Sequence, residues 1–581
     1  MAKKASRAPE PMENRPVRAD RLHARLSLVG RSTSGVVTSP EPLWTGDDLI
    51  ARQLASGLFR LGGGMVEARD QTPWTISPPS PNWENALQGF DWLDHAVAAS
   101  EPADRAKLIS WLFDWISLYG AGKGPGWRPD LTGRRLARWI CHAPVLLNGA
   151  GSVKPKAFFR SLGRQTRFLR RRWSSAPEGL PRFQAAAGLI YAGLALEGAG
   201  GGVMKEGVRA LDKTGRTNIG ADGGLSSRSP EDLFEVFAIL VWAAQSLREN
   251  GIEPSSGHTD ALARIAPAIR AMRMGDGSLT RFHGGGGGDP ERIDRALVAS
   301  GIRPTMRIHE CMGFHRISTA RSTVVFDGGV VGKGDEAVGF HASAFCFEAS
   351  VGRRPMIINC GPGAAFGDEW RTASRATAAH SGLTIEDMSS SRLITRKTGA
   401  PRLLGGAREI SCTREEDATG VRLIASHDGY LATHGLIHQR RLILTADGGD
   451  FRGEDNVAAI GPGPQSAFDI AAGRMDKMAI PFTIRFHLHP DVEADVFLAG
   501  SAVRLRPPTG DLWVMRQLGG DLTIEDSVFL DDRRARPRAT KQIVVRGEAK
   551  EYSGVVKWAF RRAEPNKPAP RDLAETAAAD T

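Results

Sequence analysis

The chain is poor in the residues that staple or span. Its 581 residues include five cysteines and four tyrosines. The cysteines, Cys141, Cys311, Cys346, Cys360 and Cys412, are scattered and odd in number, with no C-x-x-C pair. That excludes a disulfide framework and a zinc ribbon. Cys346, inside FCFEASV, reads as a small buried hydrophobe. No segment approaches the roughly 20 apolar residues that a membrane-spanning helix needs. The N-terminus starts basic but lacks the apolar stretch of about 7–15 residues that marks a secretory signal. The expectation is a cytoplasmic protein, with periplasm or cell envelope as the alternative.

Charge of one sign is in modest excess. Lys and Arg outnumber Asp and Glu by 76 to 65, a net +11, which favours anionic partners. Nearly half of that excess sits in the first 40 residues, where Lys3, Lys4, Arg7, Arg15, Arg18, Arg21, Arg25 and Arg31 face only Glu10, Glu13 and Asp20. The body of the chain is therefore only moderately basic. No helix-turn-helix, RNP or zinc-finger signature accompanies the charge, so nucleic acid is not the expected partner.

What is present is a change of period. Residues 1–40 read as a disordered basic tail, at most one amphipathic turn around Leu22–Leu28. Residues 41–283 repeat apolar positions at i, i+3, i+4 and i+7 in segments such as RAKLISWLFDWISLYG and EDLFEVFAILVWAAQSLREN, separated by Gly/Pro/Ser stops. So many consecutive helices cannot share one four-helix core, and an (α/α) toroid, in which each hairpin packs on its neighbours, fits the pattern. Residues 284–310 open with Gly284–Gly288, a run too costly in backbone entropy for a helix or strand interior. It reads as a Gly-rich linker or as a mobile loop at a cleft rim. From 311 to 560 the period falls to 2, in segments such as STVVFDGG, GVRLIASHDGY and FTIRFHLHP, with no helices between them. That predicts an antiparallel β-sandwich. Residues 561–581 are a polar tail. In FTIRFHLHP, alternation sets Phe482, Ile484, Phe486 and Leu488 on a core face and Arg485, His487 and His489 on a solvated one.

Several side chains suit an acidic sugar. Arginine forks hold carboxylate or sulfate bidentately, and tryptophan faces stack on sugar rings. Trp127, Arg134 and Arg135 are candidates of this kind; their other reading is a helix start held by ion pairs and an aromatic core plug. Arg228 lies on a loop between helices and Arg182 opens a neighbouring helix, so the two are candidates for holding one carboxylate.

The order FHASAFCFEASVGRRPMIINCGPG, WRTASRATAAHSGLTIED, HDGYLATHGLIHQRRLIL and FRGEDNV resembles the central block of the heparinase II/III family of polysaccharide lyases. In the helical half, WRPDLTGRRLARWI and ADGGLSSRSPEDLFEV resemble two further motifs of that family. The resemblance implies a toroid and sandwich that bind an acidic, glycosaminoglycan-like polysaccharide in the cleft between them. It also implies β-elimination, in which a base removes the C5 proton of a uronate and a Tyr or His protonates the leaving oxygen. By the same resemblance His341, His380 and Arg375 are the catalytic candidates, and His341, Asn359 and His380 the ligands of a structural Zn or Ca. The family's catalytic Tyr falls near Glu231 or Asp232, where this chain has none, and Arg182 and Phe183 replace its Asn/His pair. Two functions stay open: a carbon–oxygen lyase acting on an acidic bacterial glycan, and a non-catalytic glycan-binding or assembly protein that keeps the fold.

Overall fold

In the computed structural model the described residues are 16–30, 33–42, 45–148, 153–198, 200–303, 308–332, 339–394, 401–474, 478–534 and 536–563. Residues 1–15 of the predicted basic tail, 304–307 of the predicted linker and 564–581 of the polar tail lie outside them.

The helical half runs to Pro290–Ala299. Its central helices are apolar on most sides because they are covered on most sides. Leu180–Ala195 is one example, packing on Pro129–Cys141 where Gly133 and Gly188 meet; a Cβ on Gly188 would lie 2.5 Å from the Gly133 Cα. Only glycines permit that approach. Pro230–Glu249 starts cleanly, with Pro230 in the first turn and the Ser229 hydroxyl accepting the Asp232 amide at 3.2 Å. The tryptophan stripe is core, as its spacing indicates: Trp111 and Trp115 are buried with Trp83, Trp92 and Trp139.

The tail is not featureless. Arg18–Leu26 forms a helix whose Asp20 is buried against Arg172 at 2.7 Å, and Arg167 donates to the Ser27 carbonyl at 3.0 Å. The ion pair outweighs the local polarity that made this stretch read as disordered.

From Glu310–Cys311 to Ser553–Arg562 the described chain is a curled antiparallel sheet folded into a sandwich, but the helices Asp368–Ala373 and Pro462–Gly473 interrupt the strands where none was expected. Ala479–Leu488 pairs with Arg538–Lys550 and with Leu383–Ile385; Asp450–Ala458 pairs with Leu436–Thr445 and with Ser553–Arg562. Phe482, Ile484, Phe486 and Leu488 fill the core, as alternation predicts. The opposite face differs from expectation. His487 is buried, accepting from the Ser527 hydroxyl at 2.7 Å and donating to the Ala378 carbonyl at 3.0 Å, because the loop before His380 folds over it.

Toroid and sandwich share a core. Phe183, Phe234, Phe237, Met272 and Phe282 pack in one cluster with Cys311, Met312, Phe314, Val325 and Cys346. Polar ties add to it: the Asp222 carboxylate accepts the Met312 amide at 2.8 Å, and the Ser350 hydroxyl accepts the Gly275 amide at 3.0 Å. The predicted linker is part of this joint. Gly285, Gly286 and Gly287 are buried, and Asp289 caps the helix Pro290–Ala299. A Cβ would fall 2.9 Å from Ser229 Oγ at Gly285 and 2.9 Å from Asp532 Oδ1 at Gly286, so the run is glycine because it threads between the two halves.

Candidate functional site

The joint brings together groups that are far apart in sequence. Asp327 ends the strand Ser322–Asp327 and is 1% exposed. One of its oxygens receives the Arg228 guanidinium and the Gly329 amide, and the other accepts the Ser343 hydroxyl at 2.6 Å. Arg228, from the loop before Pro230–Glu249, also donates to the carbonyls of Met312 at 2.5 Å and Val330 at 3.3 Å. Its guanidinium carbon stands 4.7 Å over the Phe314 ring and 5.9 Å from Phe340. The Arg228 backbone has φ +53, a left-handed turn that aims the side chain into the sandwich.

Three histidines surround this pair. His283 Nδ1 accepts the His341 amide at 3.2 Å, which leaves the proton on Nε2. That Nε2 is buried without a hydrogen-bond partner and lies 3.6 Å from Asp327 Oδ2. His380 Nδ1 donates to the Ala376 carbonyl at 2.8 Å, so its Nε2 is the acceptor for His341 Nδ1 at 3.3 Å. Burial holds all three neutral. It takes His380 down to about 4, and burial with neighbouring cations and histidines takes His283 and His341 well below the ordinary imidazole range.

Of the expected catalytic residues, His341 and His380 thus meet. Arg375 does not present itself to a ligand: its Nε donates to the Phe340 carbonyl at 3.0 Å and its Nη1 to Pro401 at 2.8 Å, clamping two backbone segments. The expected metal set does not fit a metal. Both ends of the Asn359 amide are spent, donating to the Arg281 carbonyl at 3.2 Å and accepting the Ser381 amide at 3.0 Å. The two imidazoles are turned to each other, and among the described residues no cluster of three His, Cys, Asp or Glu could hold an ion.

The expected sugar-binding set is also corrected. Trp127 is a core plug, 1% exposed, donating to the Tyr119 carbonyl at 2.8 Å and packed on Trp115 and Phe168. Arg135 is fully buried, bonded to Gln165 at 2.7 Å and to the Gln88 carbonyl at 2.8 Å, its guanidinium carbon 4.1 Å over Trp115. Arg134 pairs with Asp91 inside the toroid. Arg182 closes its own helix start on the Ala176 carbonyl and Glu178, both at 2.8 Å, so Arg182 and Arg228 do not hold one carboxylate.

Sequence reasoning missed His283, Asp327, Ser343 and Arg281. Asp327 stood in FDGG, which reads as a turn, and His283 abuts the glycine run taken for a linker.

Where the family's tyrosine was expected, Glu231 accepts the Gly286 amide at 2.8 Å. Burial and the nearby Asp532 push its carboxyl up to about 8. Because the unfolded value is about 4.3, ionisation opposes folding. Stability associated with Glu231 is complete below about pH 4 and is lost as pH rises through about 8. Glu231→Gln keeps the acceptor and removes the charge. Its melting temperature relative to wild type is expected to rise steadily between pH 5 and 8; a pH-independent difference would refute the assignment.

Comparisons place this architecture. The fold is that of the toroid-plus-sandwich polysaccharide lyases. Heparinase III superposes with a TM-score of 0.67 at 13% identity, over 94% of this chain and 89% of its own. A heparan sulfate lyase from Pedobacter heparinus gives 0.56 at 14%, over 94% and 88%. A Streptomyces coelicolor A3 chondroitin AC lyase gives 0.51 at 11%, over 96% and 84%. In its β half, residues 304–559 match the family described as Heparinase II/III-like, C-terminal. A curated relative from Caulobacter vibrioides (strain NA1000 / CB15N), FtsZ-localized protein C, is 29% identical over 549 residues, 93% of this chain and 92% of its own length.

Proposed function

We propose that this protein is a non-catalytic member of the lyase fold, binding an acidic glycan without cleaving it. The observation that carries the reading is the Arg228–Asp327 bridge, buried between toroid and sandwich beside His341 and His380. Elimination needs an open place for the uronate, a base free to take its proton and a group to protonate the leaving oxygen. Here an internal ion pair and two phenylalanine rings fill the joint, His341 and His380 are bonded to each other and His380 to backbone, and no tyrosine stands at Glu231. The name of the Caulobacter relative extends the proposal to place: this chain gathers where FtsZ does, from the cytoplasmic side.

Purified protein incubated with heparin, heparan sulfate, chondroitin sulfate and alginate is expected to give no rise in the absorbance of unsaturated uronate near 232 nm, while retaining at least one of these chains on a binding assay. A steady absorbance rise that survives repurification would overturn the reading in favour of a lyase. A fluorescent fusion spread evenly through cells with assembled FtsZ would overturn the assignment of place.

A further inference from the structure

One buried cation in the joint, Arg281, forms no direct ion pair with a described residue; Glu348 and Asp532 act on it only from longer range. Arg281 lies in the segment that leads into His283 and the glycine run, and it is 6% exposed. Its guanidinium carbon stacks 5.0 Å from the centre of the Phe529 ring, and the His489 ring packs on the same phenyl at 5.3 Å. Among the described residues no carboxylate reaches ion-pair distance of it, although guanidinium groups elsewhere in the chain are commonly paired. The acid beneath it is already spent: Glu348 takes the backbone amide of Arg281 at 3.1 Å and that of Asn359 at 2.9 Å. The backbone around the fork is glycine. A Cβ on Gly287 would fall 2.6 Å from Arg281 Nη2, and one on Gly361 would fall 3.6 Å from its Cδ. Arg60, from the strand Leu58–Leu61, reaches the same sandwich loop and donates to the Asp532 carbonyl at 3.5 Å.

A buried guanidinium whose nitrogens no carboxylate or carbonyl bonds directly is costly, and such groups persist where something supplies the missing oxygens. Glu231, pushed up to about 8, carries little charge near neutral pH, and burial with the nearby Asp531 raises the Asp532 carboxyl as well. Aromatic support on one side and glycine backbone on the other leave the fork to be met along its edge, the approach by which a guanidinium takes an oxyanion.

We propose that Arg281, backed by Phe529 and flanked by Arg60, is the subsite that receives the carboxylate or sulfate of the acidic sugar. The proposal rests on the glycan-binding reading and gives it a place on the molecule different from Arg134, Arg135, Arg182 and Arg228, which are consumed internally. The ligand enters between the Leu58–Leu61 hairpin and the 529–534 loop, over the glycine run rather than through the Arg228–Asp327 bridge.

The test compares wild type, Arg281→Met and Arg281→Lys, using a heparin tetrasaccharide, free glucuronate and sulfate as probes and dextran as the neutral control. Arg281→Met is expected to weaken tetrasaccharide binding about tenfold or more, with Arg281→Lys between it and wild type. Because a buried substitution can disturb folding, Arg281 in the unaltered protein is also mapped by phenylglyoxal labelling and mass spectrometry. Glucuronate or sulfate should protect it, and dextran should not; the anion that protects at lower concentration identifies the group recognised. If Arg281 is protected by the small anions but the tetrasaccharide does not bind, the subsite stands and the glycan reading falls. If the tetrasaccharide binds while neither labelling nor affinity depends on Arg281, the reading stands and the subsite falls. If no probe protects Arg281 or binds, both fall.

Discussion

Replacing Asp455 with alanine is expected to destabilise the sandwich by about 3–5 kcal/mol, the scale of a buried ion pair broken by removing one partner. Asp455 stands on Asp450–Ala458 at the centre of the sheet and is fully buried. It accepts four hydrogen bonds: from His438 Nε2 at 2.8 Å, from Arg440 at 2.6 and 3.0 Å, and from Trp558 Nε1 at 2.8 Å. Without it, Arg440 keeps only the Phe345 carbonyl at 2.7 Å as a bonded partner in a fully buried place. Burial raises the Asp455 carboxyl, but Arg440 and His438 more than offset it and hold it well below the usual range. A carboxyl with a lowered folded value contributes stability that is complete above the unfolded value, about 3.9, and is lost as pH falls below it. The variant should therefore melt lower by about 10 °C at pH 7, and the gap should narrow as pH drops below 4. A constant gap down to pH 2 would mean that the loss comes from packing alone.

The same network explains why the site is built as it is. Arg440 holds the carbonyl of Phe345, whose backbone is left-handed at φ +62, and the Phe345 amide donates to the Asp327 carbonyl at 2.8 Å. A charge satisfied in the sheet interior thus fixes the turn that sets Ser343 and Asp327 opposite Arg228. Asp455 and Arg440 position these groups from the interior of the sheet.

Period and composition made the architecture legible, because both report burial directly. The helical period ends and the alternating period begins close to where the helices give way to strands, and the Phe482–Leu488 face is core as written. Local polarity misled at two places. Arg18–Leu26 is charged, yet Asp20 is stapled to a helix 152 residues away. The glycine run looked free because its sequence has no side chains to pack, whereas it is bare so that the side chains of others can pack on it. The site was legible only as far as the motif went. His341 and His380 came from resemblance and do meet, but Trp127 and Arg135 have the right chemistry in the wrong environment. No pattern in a sequence separates an arginine that faces a ligand from one that faces a glutamine and a tryptophan. His283 and Asp327 were missed since their meaning depends on a contact between halves of the chain.

Arg228→Met is expected to cost about 3–5 kcal/mol, and it tests the bridge on which the functional reading depends. The substitution keeps the stem packed near Phe314 and leaves Asp327, 1% exposed, with only the Ser343 hydroxyl and the Gly329 amide as donors. Asp327→Asn should cost less, because Arg228 retains the Met312 and Val330 carbonyls. The double variant should recover part of the sum, with a coupling of about 1–3 kcal/mol for groups in direct contact; strict additivity would mean that the pair is not the tie it looks to be. A second readout is local. Burial is the first cause of the low His283 value and Arg228 the next, so its removal should lift the His283 titration toward, but not up to, the ordinary imidazole range. An unmoved titration by NMR would place Arg228 elsewhere in solution. The variant also separates a blocked enzyme from a non-enzyme. Removing the bridge opens the joint beside His341 and His380 but supplies no proton donor at Glu231, so Arg228→Met should remain silent near 232 nm on every uronate polymer. Product formed by the variant and not by wild type would show that the chemistry is intact behind the ion pair, and the non-catalytic reading would have to give way to that of a latched lyase.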